Sequence, residues 1–100
     1  MAKIYVETNK YNADIKVFEV NSKYDADLIV HFVDSKYNAK GDEIWFVTDS
    51  KYDADKKIFY ESSKYNADLK VYFTKSKYDV KWVKSHKLKG RIGWDQIDIY

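Results

Sequence analysis

The sequence predicts a mainly β protein of short strands joined by single helical turns, repeated in units of about thirteen residues. Three observations predict it. Tyrosines recur at Tyr11, Tyr24, Tyr37, Tyr52, Tyr65 and Tyr78, at spacings of 13, 13, 15, 13 and 13. Between these blocks lie β-branched and aromatic runs too short for helices. The 100-residue chain also holds ten Tyr but only three Gly and no Pro, so its many turns do without either turn-former. One short unit cannot bury its own apolar face, so the units must pack on one another.

Ile4-Tyr5-Val6 opens the strand series; residues 15–20, 28–33, 44–47, 58–60 and 69–73 continue it. Ile15 and Val17, or Leu69, Val71 and Phe73, share one face; Lys16 and Phe18, or Lys70 and Tyr72, share the other. Apolar residues succeed one another at most strand centres, which implies cover on both faces and favours parallel pairing. Trp45 takes a Val or Ile position and reads as core. Each repeat Tyr follows a Lys, with Asn9, Ser22, Ser35, Ser50, Ser63 or Ser76 two places before it and Ala or Val80 two places after. Ser and Asn are good caps, and Lys, Tyr and Ala tolerate right-handed helix, so each connector reads as one capped α or 3₁₀ turn. Such a turn never needs positive φ, which explains the missing Gly and Pro. Gly41-Asp42 accounts for the one long spacing and reads as a two-residue loop insertion. By ordinary connection rules the series is a short unknotted β-solenoid.

Asp34-Ser35-Lys36-Tyr37-Asn38-Ala39, Asp49-Ser50-Lys51-Tyr52-Asp53-Ala54-Asp55 and the ending Lys84-Ser85-His86-Lys87-Leu88-Lys89-Gly90-Arg91 resemble the Septknot family. These are small bacterial proteins of unknown function with a backbone tied in a seven-crossing torus knot. The resemblance covers residues 3–93 and departs at Lys40, at Val80-Lys81 and in the tail Trp94–Tyr100. It implies a closed, barrel-like ring of repeated strands, deeply knotted, in which about seven 13-residue units circle twice. Each strand's neighbours would then lie three and four repeats away. The residue after each repeat Tyr alternates between Asn and Asp, which would set Asp beside Asn if repeats three apart adjoin. The domain expected is residues 1–93, with 94–100 as a C-terminal tail, and the sixth-copy departure reads as an atypical final repeat.

Catalytic and metal chemistry find little purchase. With no Cys there is no thiolate site, nucleophile or disulfide scaffold. Asp25-Ala26-Asp27 and Asp53-Ala54-Asp55 lack the Gly that calcium loops use, so their carboxylates read as ending the turn or pairing with the Lys column. His31 shares a column with Tyr5, Phe18, Phe46, Phe59 and Tyr72 and reads as packing; His86 sits among Lys84, Lys87 and Lys89, an awkward place for a metal or base. Glu7, Glu19 and Glu61 form no evident acid and base pair, and no phosphate or dinucleotide fingerprint is present. No enzyme, cofactor or metal is expected, nor any membrane partner. The expectation is a cytoplasmic monomer acting as a compact structural or binding module.

Charge gives the one signal toward a ligand. Residues 75–91 hold seven Lys or Arg against Asp79, a net of +6, leaving −4 for the rest of a chain whose total is +2. Lys81, Lys84, Lys87, Lys89 and Arg91, interleaved with Tyr78 and Trp82, are the candidate contacts for an anion or nucleic acid, bound weakly and without sequence preference. Against it stands the expectation that these cations offset acidic residues across the ring, and that the six repeat Tyr pack on neighbouring repeats.

Overall fold

The computed structural model of the chain describes residues 2–93. Strands form where the β-rich runs stand: β1 Ala2–Val6, β2 Ile15–Glu19, β3 Leu28–Phe32, β4 Ile44–Val47, β5 Lys56–Tyr60, β6 Leu69–Phe73 and the short β7 Lys81–Trp82. Period-two alternation turns Ile4, Ile15, Val17, Leu28, Val30, Trp45, Ile58, Leu69 and Val71 into a shared buried core. Trp45 is core, as its column predicts. The outward residues Phe18, His31, Phe46, Phe59 and Tyr72 are half-buried, because the connections run across them. His31, half-buried, sets its Nδ1 at hydrogen-bond distance, 3.0 Å, from the Thr74 carbonyl.

β1 to β6 form a closed parallel ring in the order β4-β1-β5-β2-β6-β3, with β3 returning to β4. Partners in that order are three or four repeats apart, as the resemblance implies; only the closing pair, β3 and β4, is consecutive. The solenoid alternative, which pairs successive repeats, does not form. The turn Lys10–Asn12 crosses over β5 and the turn Lys23–Asp25 over β6, so each such connection passes one strand and enters the ring beyond it. All advances share one sense, and β6 is reached on a second lap.

The connectors are the capped 3₁₀ turns that their sequence predicts. Lys10–Asn12, Lys23–Asp25, Lys36–Asn38 and Lys64–Asn66 are 3₁₀, and their Tyr N–H groups donate to Asn9 Oδ1 (2.9 Å), Ser22 Oγ (3.2 Å), Ser35 Oγ (3.3 Å) and Ser63 Oγ (3.3 Å). At Tyr52 and Tyr78 the chain makes the same tight turn, closed by Asp53 N–H to Ser50 O and Asp79 N–H to Ser76 O. No non-glycine among the described residues has positive φ.

The Asp that ends each motif does more than cap. Asp55, Asp14, Asp68 and Asp27 each donate their N–H to the carbonyl of a Lys on the neighbouring strand: Lys3, Lys57, Lys16 and Lys70 respectively, all at 2.7 Å. Each carboxylate then accepts the N–H of that same Lys at 2.9–3.0 Å. The expected pairing with the Lys before each Tyr is not what forms: the partners are lysines of the neighbouring strands, met through their backbone. The one Lys ammonium ion pair among the described residues joins Lys3 to Asp53. These four two-point brackets staple the junctions β1·β5, β5·β2, β2·β6 and β6·β3.

The remaining two junctions flank β4, where the motif has lost its Asp to Lys40. Here the Gly41-Asp42 insertion acts, and it is more than a longer loop. Asp42 is 5% exposed, and its carboxylate accepts N–H groups from Ile92 (3.0 Å), Gly93 (2.9 Å), Gly90 and the Trp82 indole (3.0 Å). Its carbonyl accepts from Trp45 Nε1 at 2.6 Å. This clamp holds residues 82–93 against the loop that enters β4 and seats Ile92 in the core. Gly93 fits only because it lacks a side chain: a Cβ there would lie 1.6 Å from the Gly41 carbonyl oxygen. Gly41 (φ +60°) and Gly90 (φ +80°) hold left-handed backbone at the same seam, so all three glycines of the chain serve it.

The sixth-copy departure is likewise structural rather than a worn-out end. Without an Asp at Lys81, the chain enters β7 antiparallel to β3, pairing Ile29 with Lys81 and Leu28 with Trp82. The parallel ring therefore has six strands, and the seventh unit supplies an antiparallel stub and the clamped segment. The expected tail, residues 94–100, lies outside the described residues.

Candidate functional site

The six repeat Tyr do not pack on neighbouring repeats, contrary to the expectation. They are exposed by 73–91% of their surface. The reason is local: each turn lies outermost on the ring, and the Ala two residues on takes the inward position, with Ala26 and Ala39 fully buried. The Tyr, half a turn earlier, points to solvent. Lys10, Lys36, Lys51, Lys64 and Lys77 each place Nζ over the following Tyr ring, 5.3–5.7 Å from its centroid. Five of the six turns thus carry a Lys over its Tyr, and all six together set a belt of aromatic faces and cations around the outside of the barrel. Rings exposed to this degree bury little apolar surface and so add little to stability.

The five basic candidates share the sector closed by the clamp. Lys81, Lys84, Lys87, Lys89 and Arg91 are all exposed, and none is ion-paired among the described residues. The offsetting of charge expected for them is not made by contact. Trp82, expected to stack on a ligand beside them, is committed elsewhere. Its ring stacks on His86 (5.7 Å, 27°) and its N–H is held by Asp42. His86 accepts the Leu88 N–H at Nδ1 (3.1 Å), and its Nε2 sits 2.9 Å from the Asp68 carbonyl and 3.8 Å from the Asp27 carboxylate, so the ring is tied into the fold.

Two surface hollows matter. One, about 360 Å³, lies between the second and sixth turns and is lined by Lys23, Tyr24, Ile29, Tyr78, Val80 and Lys81, together with Asp79 and Val83. The other, larger and broader, carries Glu19 and Asp25 together with Lys64, Lys70 and Lys84. Three cations among its two carboxylates make a poor acid and base pair. Glu19 instead acts on Tyr60, whose hydroxyl pKa is raised from the usual 10.0, first by burial and then by this carboxylate. No group of three or more His, Cys, Asp or Glu among the described residues is arranged to hold a metal ion. Asp42, the most heavily hydrogen-bonded carboxylate, is fully occupied by the chain itself.

Lys23 and Tyr24 escaped sequence reasoning as site residues because they look like any other copy of the motif. The signal that singles them out is the sixth-copy departure, Val80-Lys81, which lies beside them only in the folded ring. Turns three repeats apart do adjoin: Asn12 lies with Lys51 and Tyr52, and Asp25 with Lys64 and Tyr65.

The model of the Septknot family, described as a 7(1) septoil knot domain, matches residues 1–83, and the chain belongs to that family. No curated protein and no solved structure matches the chain. No helix among the described residues is long and apolar enough to cross a membrane.

Proposed function

We propose that this Septknot protein is a non-enzymatic binding module, monomeric and cytoplasmic, which holds single-stranded nucleic acid weakly and without sequence preference. The observation that carries the reading is the belt: six Tyr rings at 73–91% exposure, each following a Lys, on turns whose caps and brackets do not use the rings. Aromatic faces stack bases of any identity while cations track the phosphates. Lys81, Lys84, Lys87, Lys89 and Arg91 extend the cationic track along the clamped segment. The path of the chain, tied as the family's description names it, would give the module a rigid frame and slow unfolding.

Fluorescence anisotropy of a labelled oligodeoxycytidine, titrated at rising salt, tests the reading. Binding should weaken with a slope of about 0.7 per neutralised phosphate. Replacing Lys84, Lys87 and Lys89 by Gln should flatten that slope at unchanged fold. No binding at the lowest salt overturns the reading.

A further inference from the structure

The belt is not uniform. At the regular junctions the chain leaves each turn as Ala-Asp, brackets a neighbouring strand and continues parallel. After the sixth turn Val80-Lys81 diverts it into antiparallel β7, and a gap opens against the second turn. Tyr24 and Tyr78, exposed by 82% and 85%, border this gap from opposite turns, above a floor of Ile29, Val80 and Val83. The two rings make no stacked contact with each other among the described residues. Lys23 is also exceptional. Five of the repeat Lys lie over their own Tyr, whereas Lys23 makes no such contact among the described residues and lines the gap instead. Tyr24 therefore keeps its ring clear of its own Lys.

We propose that this hollow is a stacking subsite for one unpaired base of a nucleic-acid strand, held between Tyr24 and Tyr78, with flanking phosphates on Lys23 and Lys81. The inference rests on the nucleic-acid reading above and narrows it to one place on the belt. The hollow's volume of about 360 Å³ lies in the range of about 300–1,000 Å³ common to small-ligand sites. An apolar floor with two aromatic walls suits a planar ring, and two cations at the rim suit the charges on either side of it. Asp79, which also lines the hollow, can accept from a base amino group.

The test compares a labelled oligodeoxycytidine with an abasic strand of equal length, on the full chain and two variants. Tyr24→Ala/Tyr78→Ala removes the walls; Tyr11→Ala/Tyr52→Ala removes two other belt rings. All four side chains are exposed, so both variants should keep the parent's melting temperature. The expected result is a loss on the order of ten- to a hundredfold for Tyr24→Ala/Tyr78→Ala on oligodeoxycytidine, with the control within about threefold. The salt slope stays unchanged, and the abasic strand binds the parent at least as weakly as oligodeoxycytidine binds the variant. Equal losses in both variants overturn the subsite while leaving the wider reading intact. Equal affinity of the parent for the abasic strand, or its failure to bind either strand, overturns both.

Discussion

The bracketed junctions and the seam around β4 close the same ring by different means. Across β1·β5, β5·β2, β2·β6 and β6·β3 one device recurs, in which an Asp exchanges its N–H and carboxylate with a single Lys backbone. At the seam no bracket is present, and one buried carboxylate, Asp42, gathers four N–H donors from residues 82–93. The regular arc spreads its polar bonding over many small, partly solvated contacts; the seam concentrates it in one buried place. Net hydrogen bonds to charged groups contribute about 1.5–3 kcal/mol each, and a buried donor left unpaired costs about 1–3 kcal/mol. A lesion in the arc is therefore local, while one at the seam releases the whole second-lap ending.

The largest expected effect follows from Gly93→Ala. The added Cβ meets the Gly41 carbonyl, which is backbone and cannot swing aside, so the segment must lift off the clamp. Overpacking of this kind costs about 1–3 kcal/mol or more. The loss should appear mainly as a shorter unfolding half-life in guanidinium, since contacts of the chain's last segment that form late in folding act on the unfolding rate. An unchanged half-life would show that the seam does not hold the path.

Asp68→Asn should do much less. It keeps the N–H half of one bracket and most of the side-chain bond to the exposed Lys16 N–H. A destabilisation of about 1 kcal/mol or below is expected by denaturant titration, and it should add independently to an Asp14 substitution. A loss as large as that of a seam variant would remove the distinction between the two regions.

Much of the fold is written in the sequence, but unevenly. The strands, their inward faces and the capped turns follow from alternation and from Ser, Lys and Tyr at fixed offsets. Those are local signals. The ring order is not local: Lys3 meets Asp55, and Asp14 meets Lys57, at separations that periodicity does not favour over any other. The resemblance supplied that order. The Tyr column misled because a repeated aromatic reads as repeated packing, whereas the neighbouring Ala takes the inward place. Gly41-Asp42 was visible as an irregularity, but its partners lie 40–51 residues away, beyond any motif. The candidate surface was legible as cations interleaved with Tyr78 and Trp82; Trp82 is taken by Asp42 instead, and Tyr24 joins Tyr78 only when the second and sixth turns are brought together.

The most direct measurement is residue-resolved amide hydrogen exchange on the parent and on Asp42→Asn. If the Asp42 carboxylate clamps the second-lap ending, the amides of Gly90, Ile92 and Gly93 lose protection in the variant. Those of Lys3, Lys16, Lys57 and Lys70, held by the brackets, keep theirs. Loss spread evenly over both sets, or full protection of all seven, would contradict a second-lap ending held by Asp42.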